Sequence, residues 1–143
     1  MRGSAATIPR VPIEVRSVRT PAGDLVECRD ESHSSDHATR FLLAHLPARV
    51  RGVACEVGCG TGVIAQALAR LGASRVWATD VDEQALELVR RSAAANAIDT
   101  VVACRGPLLE PIPADERLDL VVAVLPQKPA PTRFDLRLSL IHI

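Results

Sequence analysis

The sequence is short of the residues that would mark several common functions. It has one lysine, Lys128, against sixteen arginines, no tyrosine, two phenylalanines and a single tryptophan. Three aromatic side chains give little material for stacking on nucleic-acid bases. Basic and acidic residues number 17 each, so net charge gives no general attraction to a polyanion or an anionic membrane. No apolar run approaches the length of a membrane span, and the start MRGSAATIPR lacks a secretory apolar region, so the cytoplasm is the expected compartment. Cys28, Cys55, Cys59 and Cys104 form no C-x-x-C pair, and the expectation is small buried thiols without a disulfide or zinc framework. His33 and His37 are four residues apart but have no second ligand pair nearby, so no metal site is expected.

What is present describes an ordinary folded domain. The chain has 143 residues, 48% hydrophobic and 24% charged, enough for one domain with a real core. Residues 1–10 read as a loose arm. Val11 to Val18 alternates apolar and polar residues as a half-buried strand does, TPAGD supplies a turn, and LVECR is placed to return as the hairpin partner. Ser34, Ser35 and Asp36 are N-cap candidates for a helix from about Asp36 to Leu46, with Phe41, Leu42, His45 and Leu46 as its apolar stripe and Pro47 as its stop. GVACEVG, RVWATD, TVVAC and LDLVVAVL then read as four short strands. Between the first three lie two amphipathic helices, one carrying Val63, Ile64, Ala67, Leu68 and Leu71 on one face, the other starting at Asp82. Arg90 and Arg91 fall on the solvated face of the second helix. Alternating strands and helices predict a doubly wound α/β domain with a parallel sheet.

The most informative stretch is EVGCGTG, with glycines at 58, 60 and 62 directly after a strand and opening a helix. Such a turn lets a ligand approach the main chain. A dinucleotide fingerprint, G-x-G-x-x-G, would place glycine or alanine at 63, where this chain has Val63. The pattern E-x-G-x-G-x-G, with Asp80 closing the next strand, instead resembles the first motifs of class I methyltransferases that use S-adenosylmethionine. The resemblance spans residues 36 to 131 and is specific from Glu56 to Asn96. It points to the small methyltransferase-domain group, which includes release-factor glutamine and ribosomal RNA guanine methyltransferases.

That resemblance implies site residues. Gly58, Cys59, Gly60, Thr61 and Gly62 would line the methionine and ribose part of the cofactor, with Cys59 a small filler of the turn and not a nucleophile. Glu56 would organise the loop or reach the cofactor amino group through water. Asp80 would accept from the ribose hydroxyls and Val81 would pack on adenine. The polar segment before the first helix would lie over the cofactor mouth. Family members often carry an acid after the third strand to hold the adenine amino group; here that position is Gly106-Pro107. Adenine then needs other backbone groups or a different side chain, or is held more weakly.

DLVVAVLPQKP takes the place where relatives that methylate planar nitrogens carry N-P-P-Y. Val124 stands in the asparagine slot and Gln127 in the tyrosine slot, leaving Pro126 and Gln127 as candidates for the substrate loop, with an unknown methyl acceptor. Two alternatives stay open: a non-catalytic module that binds S-adenosylmethionine, and an NAD-dependent oxidoreductase, which Val63 disfavours.

The division expected is an arm and hairpin at 1–35, a partial methyltransferase domain at 36–137 and a non-native tail at 138–143, where LSLIHI resembles a translated sequencing adapter. The methyltransferase sheet would then stop after its fourth strand, in the order 3-2-1-4. An exposed edge there predicts a poorly stable and inactive piece.

Overall fold

The computed structural model describes residues 11–124. The opening arm, the residues from Leu125 onward (Pro126 and Gln127 among them) and the tail at 138–143 lie outside the described residues. Strands β1 (Glu14–Thr20) and β2 (Gly23–Arg29) form the antiparallel hairpin, with Val18 opposite Leu25. Helix α1 (His37–Ala44) follows, and then β3 (Val53–Val57), α2 (Val63–Arg70), β4 (Arg75–Asp80), α3 (Glu83–Ala95), β5 (Val101–Arg105) and β6 (Leu120–Ala123). The last four strands make one parallel sheet in the order β5-β4-β3-β6, the expected order of a doubly wound fold.

Burial explains the composition of these strands. β3 and β6 are buried on both faces, β6 as the unbroken apolar run LVVA and β3 as an apolar run interrupted only by Glu56. On one face Ala54, Ile64, Leu68, Val76, Ala78, Leu86 and Val89 form the main core between the sheet and α2 and α3. On the other, Cys55, Val57, Val121 and Ala123 pack with Trp77, Ile112 and Leu118. Among the described residues no helix is long and apolar enough to cross a membrane.

Two details depart from the sequence reading. α1 runs from His37 to Ala44 with Asp36 as its N-cap, the Asp36 carboxylate accepting from the Thr39 N–H at 2.9 Å. Phe41 is not on its buried stripe: it is 66% exposed and stacks on His45 with ring centroids 4.1 Å apart. Leu43 is the buried residue of this helix. Leu42 and Leu46 of the expected stripe are half-buried against the same core, so the core-facing side is centred on Leu43, with Phe41 and His45 turned outward.

The hairpin is fastened to α3 by side chains that imitate a neighbouring strand. Asn96 Oδ1 accepts from the Val26 N–H and its Nδ2 donates to the Val26 carbonyl, both at 2.8 Å. Ser92 Oγ accepts from the Cys28 N–H at 2.8 Å. These bonds satisfy the Val26 N–H and carbonyl and the Cys28 N–H on an edge of β2 that pairs with no third strand among the described residues. Buried Asn96 also contacts Gln66 on α2, joining hairpin and both helices. Asn96→Ala leaves the Val26 backbone pair unsatisfied and is expected to cost about 2–3 kcal/mol in urea unfolding, whereas exposed Arg91→Ala, which loses a surface pair with Glu87, should stay within about 0.5 kcal/mol.

Candidate functional site

The site lies at the carboxyl ends of β3, β4 and β6, where the strand order reverses, the position at which open α/β sheets hold ligands. Gly58, Gly60 and Gly62 all adopt positive φ, at 65°, 53° and 76°. A β-carbon on Gly62 would stand 2.7 Å from Val89 Cγ2, so that glycine lets α2 and α3 pack together. A β-carbon on Gly60 would meet nothing within 4 Å, so that glycine faces open space. The same loop thus has one glycine required by packing and one required by access to the backbone.

Carboxylates from two strand ends shape this turn. Asp80 Oδ2 accepts from the Gly60 N–H and its Oδ1 from the Asp82 N–H, each at 3.0 Å. The N-cap of α2 is Gly62, which has no side chain to offer, and Glu56 supplies the missing acceptor: its Oε2 takes the Ala65 N–H at 2.8 Å. Burial pushes the Glu56 carboxyl up to about 8, and the charge of Asp80 adds to the rise. Cys59 donates its backbone N–H to the Thr79 carbonyl at 3.0 Å. Burial first, then Glu56 and Asp80, push its thiol far up, which removes it as a nucleophile.

The turns after β4 and β5 flank the glycine turn. Val81 is 61% exposed beside Asp80, an apolar surface available to a flat ligand. Gly106 spends its N–H on the Asp80 carbonyl at 2.9 Å, and its missing β-carbon leaves room for Pro111 at 3.0 Å. Its N–H is therefore engaged with Asp80, and what it offers the site is a bare backbone wall. Leu108, held by the Thr79 hydroxyl donating to its carbonyl at 2.7 Å, is exposed on the same side. Val124, directly after β6, has its carbonyl 3.7 Å from the β-carbon position of Gly58, which brings the start of the expected substrate loop beside the glycine turn. Asp82 caps α3 through the Gln84 N–H, leaving Asp80 free of that duty.

The segment between β2 and α1 is tied to both turns. His33 Nδ1 lies 3.0 Å from Asp30 Oδ1 and its Nε2 3.0 Å from Asp82 Oδ2, so this residue joins two carboxylates. Asp30 Oδ2 also accepts from Gln84 Nε2 at 2.7 Å. At the other end, buried Glu27 accepts from the Thr61 hydroxyl at 2.7 Å and the Ser35 N–H at 2.9 Å. Glu27, Ser35 and this use of His33 were missed in the sequence. The signal for Glu27 was there in LVECR, where alternation puts an acid on the same inward face as Leu25.

A profile of the family described as methyltransferase small domain matches residues 31–130. The chain belongs to the methyltransferase small domain family. Within it, a ribosomal protein L11 methyltransferase of Thermotoga neapolitana is 46% identical over 83 residues, 58% of this chain and 30% of that protein. The chain therefore spans about a third of the length of such relatives. Among solved structures, a 16S rRNA N2 methyltransferase from T. thermophilus, in complex with AdoMet and guanosine, superposes with a TM-score of 0.72 at 23% identity, over 87% of this chain and 35% of that one. A ribosomal protein L11 methylase from Lactobacillus delbrueckii subsp. bulgaricus gives 0.51 at 26% identity, over 66% and 50%. The family's Rossmann-like sheet is the one seen here.

Two outcomes test this geometry. Gly62→Ala meets Val89 in addition to a left-handed backbone and should cost about 3 kcal/mol or more, while Gly60→Ala should cost about 1–2 kcal/mol; thermal melts of the two variants check the order. For Glu56, the unfolded chain releases its proton near 4.5 and the folded chain holds it to about 8. Its contribution to stability is therefore greatest at low pH and falls by about 1.4 kcal/mol per pH unit within that window. Glu56→Gln keeps an acceptor for Ala65 and should flatten this slope in unfolding curves recorded across pH 5–8.

Proposed function

We propose that this chain carries the cofactor-binding part of an S-adenosylmethionine-dependent methyltransferase that acts on a ribosomal protein. The observation that supports the cofactor most strongly is the turn after β3, whose one unobstructed glycine, Gly60, is held by the same Asp80 carboxylate that closes β4. Each Asp80 oxygen has accepted one hydrogen bond from the backbone and retains a lone pair for a ribose hydroxyl. Gly58, Gly60, Gly62 and the backbone of Cys59 and Thr61 would lie along the methionine and ribose, Val81 and Leu108 against the adenine. Glu56 would organise the loop by capping α2, and a cationic amino group above it would favour loss of its proton. Adenine recognition would rest on backbone and apolar contact around Gly106 and Leu108, since no acid stands there.

The bound cofactor supplies a methyl group already activated by its sulfonium. The protein's task is to aim the acceptor and exclude water. Val124 offers no amide at the position where relatives clamp a planar nitrogen, and no tyrosine exists to stack on one. An aliphatic amine needs neither device. Together with the protein-methylating relative at 46% identity, this favours a protein acceptor over an RNA base. The same missing clamp also supports a second reading, a module that binds the cofactor without transferring methyl groups. Pro126 and Gln127 remain candidates for lining the acceptor side.

Titration calorimetry of the full-length protein should show binding of S-adenosylmethionine and S-adenosylhomocysteine and none of NAD; NAD binding alone would overturn the proposal. Asp80→Ala should weaken cofactor binding by roughly ten- to a hundredfold, the worth of hydrogen bonds to a charged acceptor. Incubation of undermethylated ribosomes with labelled cofactor should place label in the protein fraction. Label in RNA would replace the acceptor, and cofactor binding without any label would favour the non-catalytic module.

A further inference from the structure

The carboxylate of Glu27 is fully buried, in a hairpin that precedes every part of the cofactor site in the chain. Its two oxygens take four donors from three segments. Oε1 accepts from the Thr61 hydroxyl and the Ser35 N–H; Oε2 accepts from Arg16 Nε and, at 3.3 Å, the Ser35 hydroxyl. Arg16 continues to the Ser35 carbonyl and hydroxyl at 3.2 and 2.6 Å. Burial works to raise the Glu27 carboxyl, but the donors from Thr61, Arg16 and Ser35 outweigh it and hold the group below its usual range. A charged acceptor is therefore fixed behind the glycine loop.

Thr61 sits between Gly60 and Gly62, both in the left-handed region. Glycines by themselves leave a turn free to explore many backbone conformations. Thr61 is the side chain by which this stretch can be gripped, and Glu27 grips it. We propose that Glu27 is a positioning residue of the cofactor site: by accepting the Thr61 hydroxyl it holds the Gly60–Gly62 backbone in its ligand-ready form and couples the N-terminal hairpin to cofactor affinity. The inference rests on the S-adenosylmethionine reading for its affinity consequence, though the mechanical coupling stands without it.

Glutamine cannot replace this carboxylate without conflict. Its amide group would turn two N–H donors toward Arg16, Ser35 or Thr61, which are themselves donors. Thr61→Val removes only the hydroxyl and leaves Glu27 paired with Arg16 and Ser35. It keeps the proposal testable if Glu27→Gln fails to fold.

The test is a double-mutant cycle in the full-length protein, read by calorimetry with S-adenosylmethionine and by amide hydrogen exchange without ligand. Glu27→Gln and Thr61→Val should each weaken binding about tenfold, as expected for one hydrogen bond to a charged group. The double variant should be no weaker than the worse single one, and Thr61→Ser should recover most of the affinity lost in Thr61→Val. Exchange at Gly60 to Ala65 should rise equally in both single variants and no further in the double. Losses that multiply, or exchange that stays at the wild-type rate in Thr61→Val, would overturn the coupling. If the wild type fails to bind S-adenosylmethionine, the functional reading falls, and the exchange rates still decide whether Glu27 holds the loop.

Discussion

The rest of the structure depends on one backbone constraint: the chain must leave β3 and enter α2 through a turn with three left-handed residues and no side chain at the N-cap. Such a turn exposes peptide N–H groups that nothing local can satisfy. The fold answers from β3 itself and from its neighbour β4. Asp80 takes the Gly60 N–H and Glu56 takes the Ala65 N–H, while the Thr79 carbonyl takes the Cys59 N–H. The parallel register that sets Glu56 opposite Ala78 brings these groups to the same level. The sheet, the helix start and the ligand hollow are consequences of a single alignment.

The two buried glutamates respond to burial in opposite directions, and the number of donors decides which. Glu56 has one backbone donor and stands near Asp80, so desolvation wins and its carboxyl rises. Glu27 has four donors, one of them a guanidinium, so the same burial is overcome and its carboxyl falls. One acid is a proton-bearing helix cap; the other is a fixed negative charge. Glu56 bonds the first turn of α2 and Glu27 bonds Thr61 in the glycine turn, so of the two only Glu27 puts a fixed negative charge beside that turn at neutral pH.

The hairpin is an integral support of the site. Among the described residues it has no strand partner beyond its own pair, yet Ser92 and Asn96 bond its edge and Glu27 reaches the glycine turn. The segment that follows is linked to the turn after β3 through Glu27, which accepts from both Ser35 and Thr61, and to the turn after β4 through His33. The turns after β3 and β4 are thereby connected through one stretch of chain.

Much of this was legible in the sequence because it follows from local spacing. Glycines at 58, 60 and 62 after an apolar strand, Asp80 at the end of the next, and Asp82 as a cap all fall within single strand–turn–helix units. Strand–helix alternation predicted the doubly wound sheet, and the resemblance carried by these motifs implied its strand order and the family. The exposed Phe41 was not legible, because apolarity alone cannot tell which side of a two-turn helix meets the core. Nor was the hold of Glu27 on Thr61 across 34 residues, or that of Asn96 on Val26 across 70. Hydrogen bonds between segments so distant leave no period in the chain. Their donors and acceptors meet only once the sheet has set the strand ends side by side, and that meeting is what the tertiary structure alone decided.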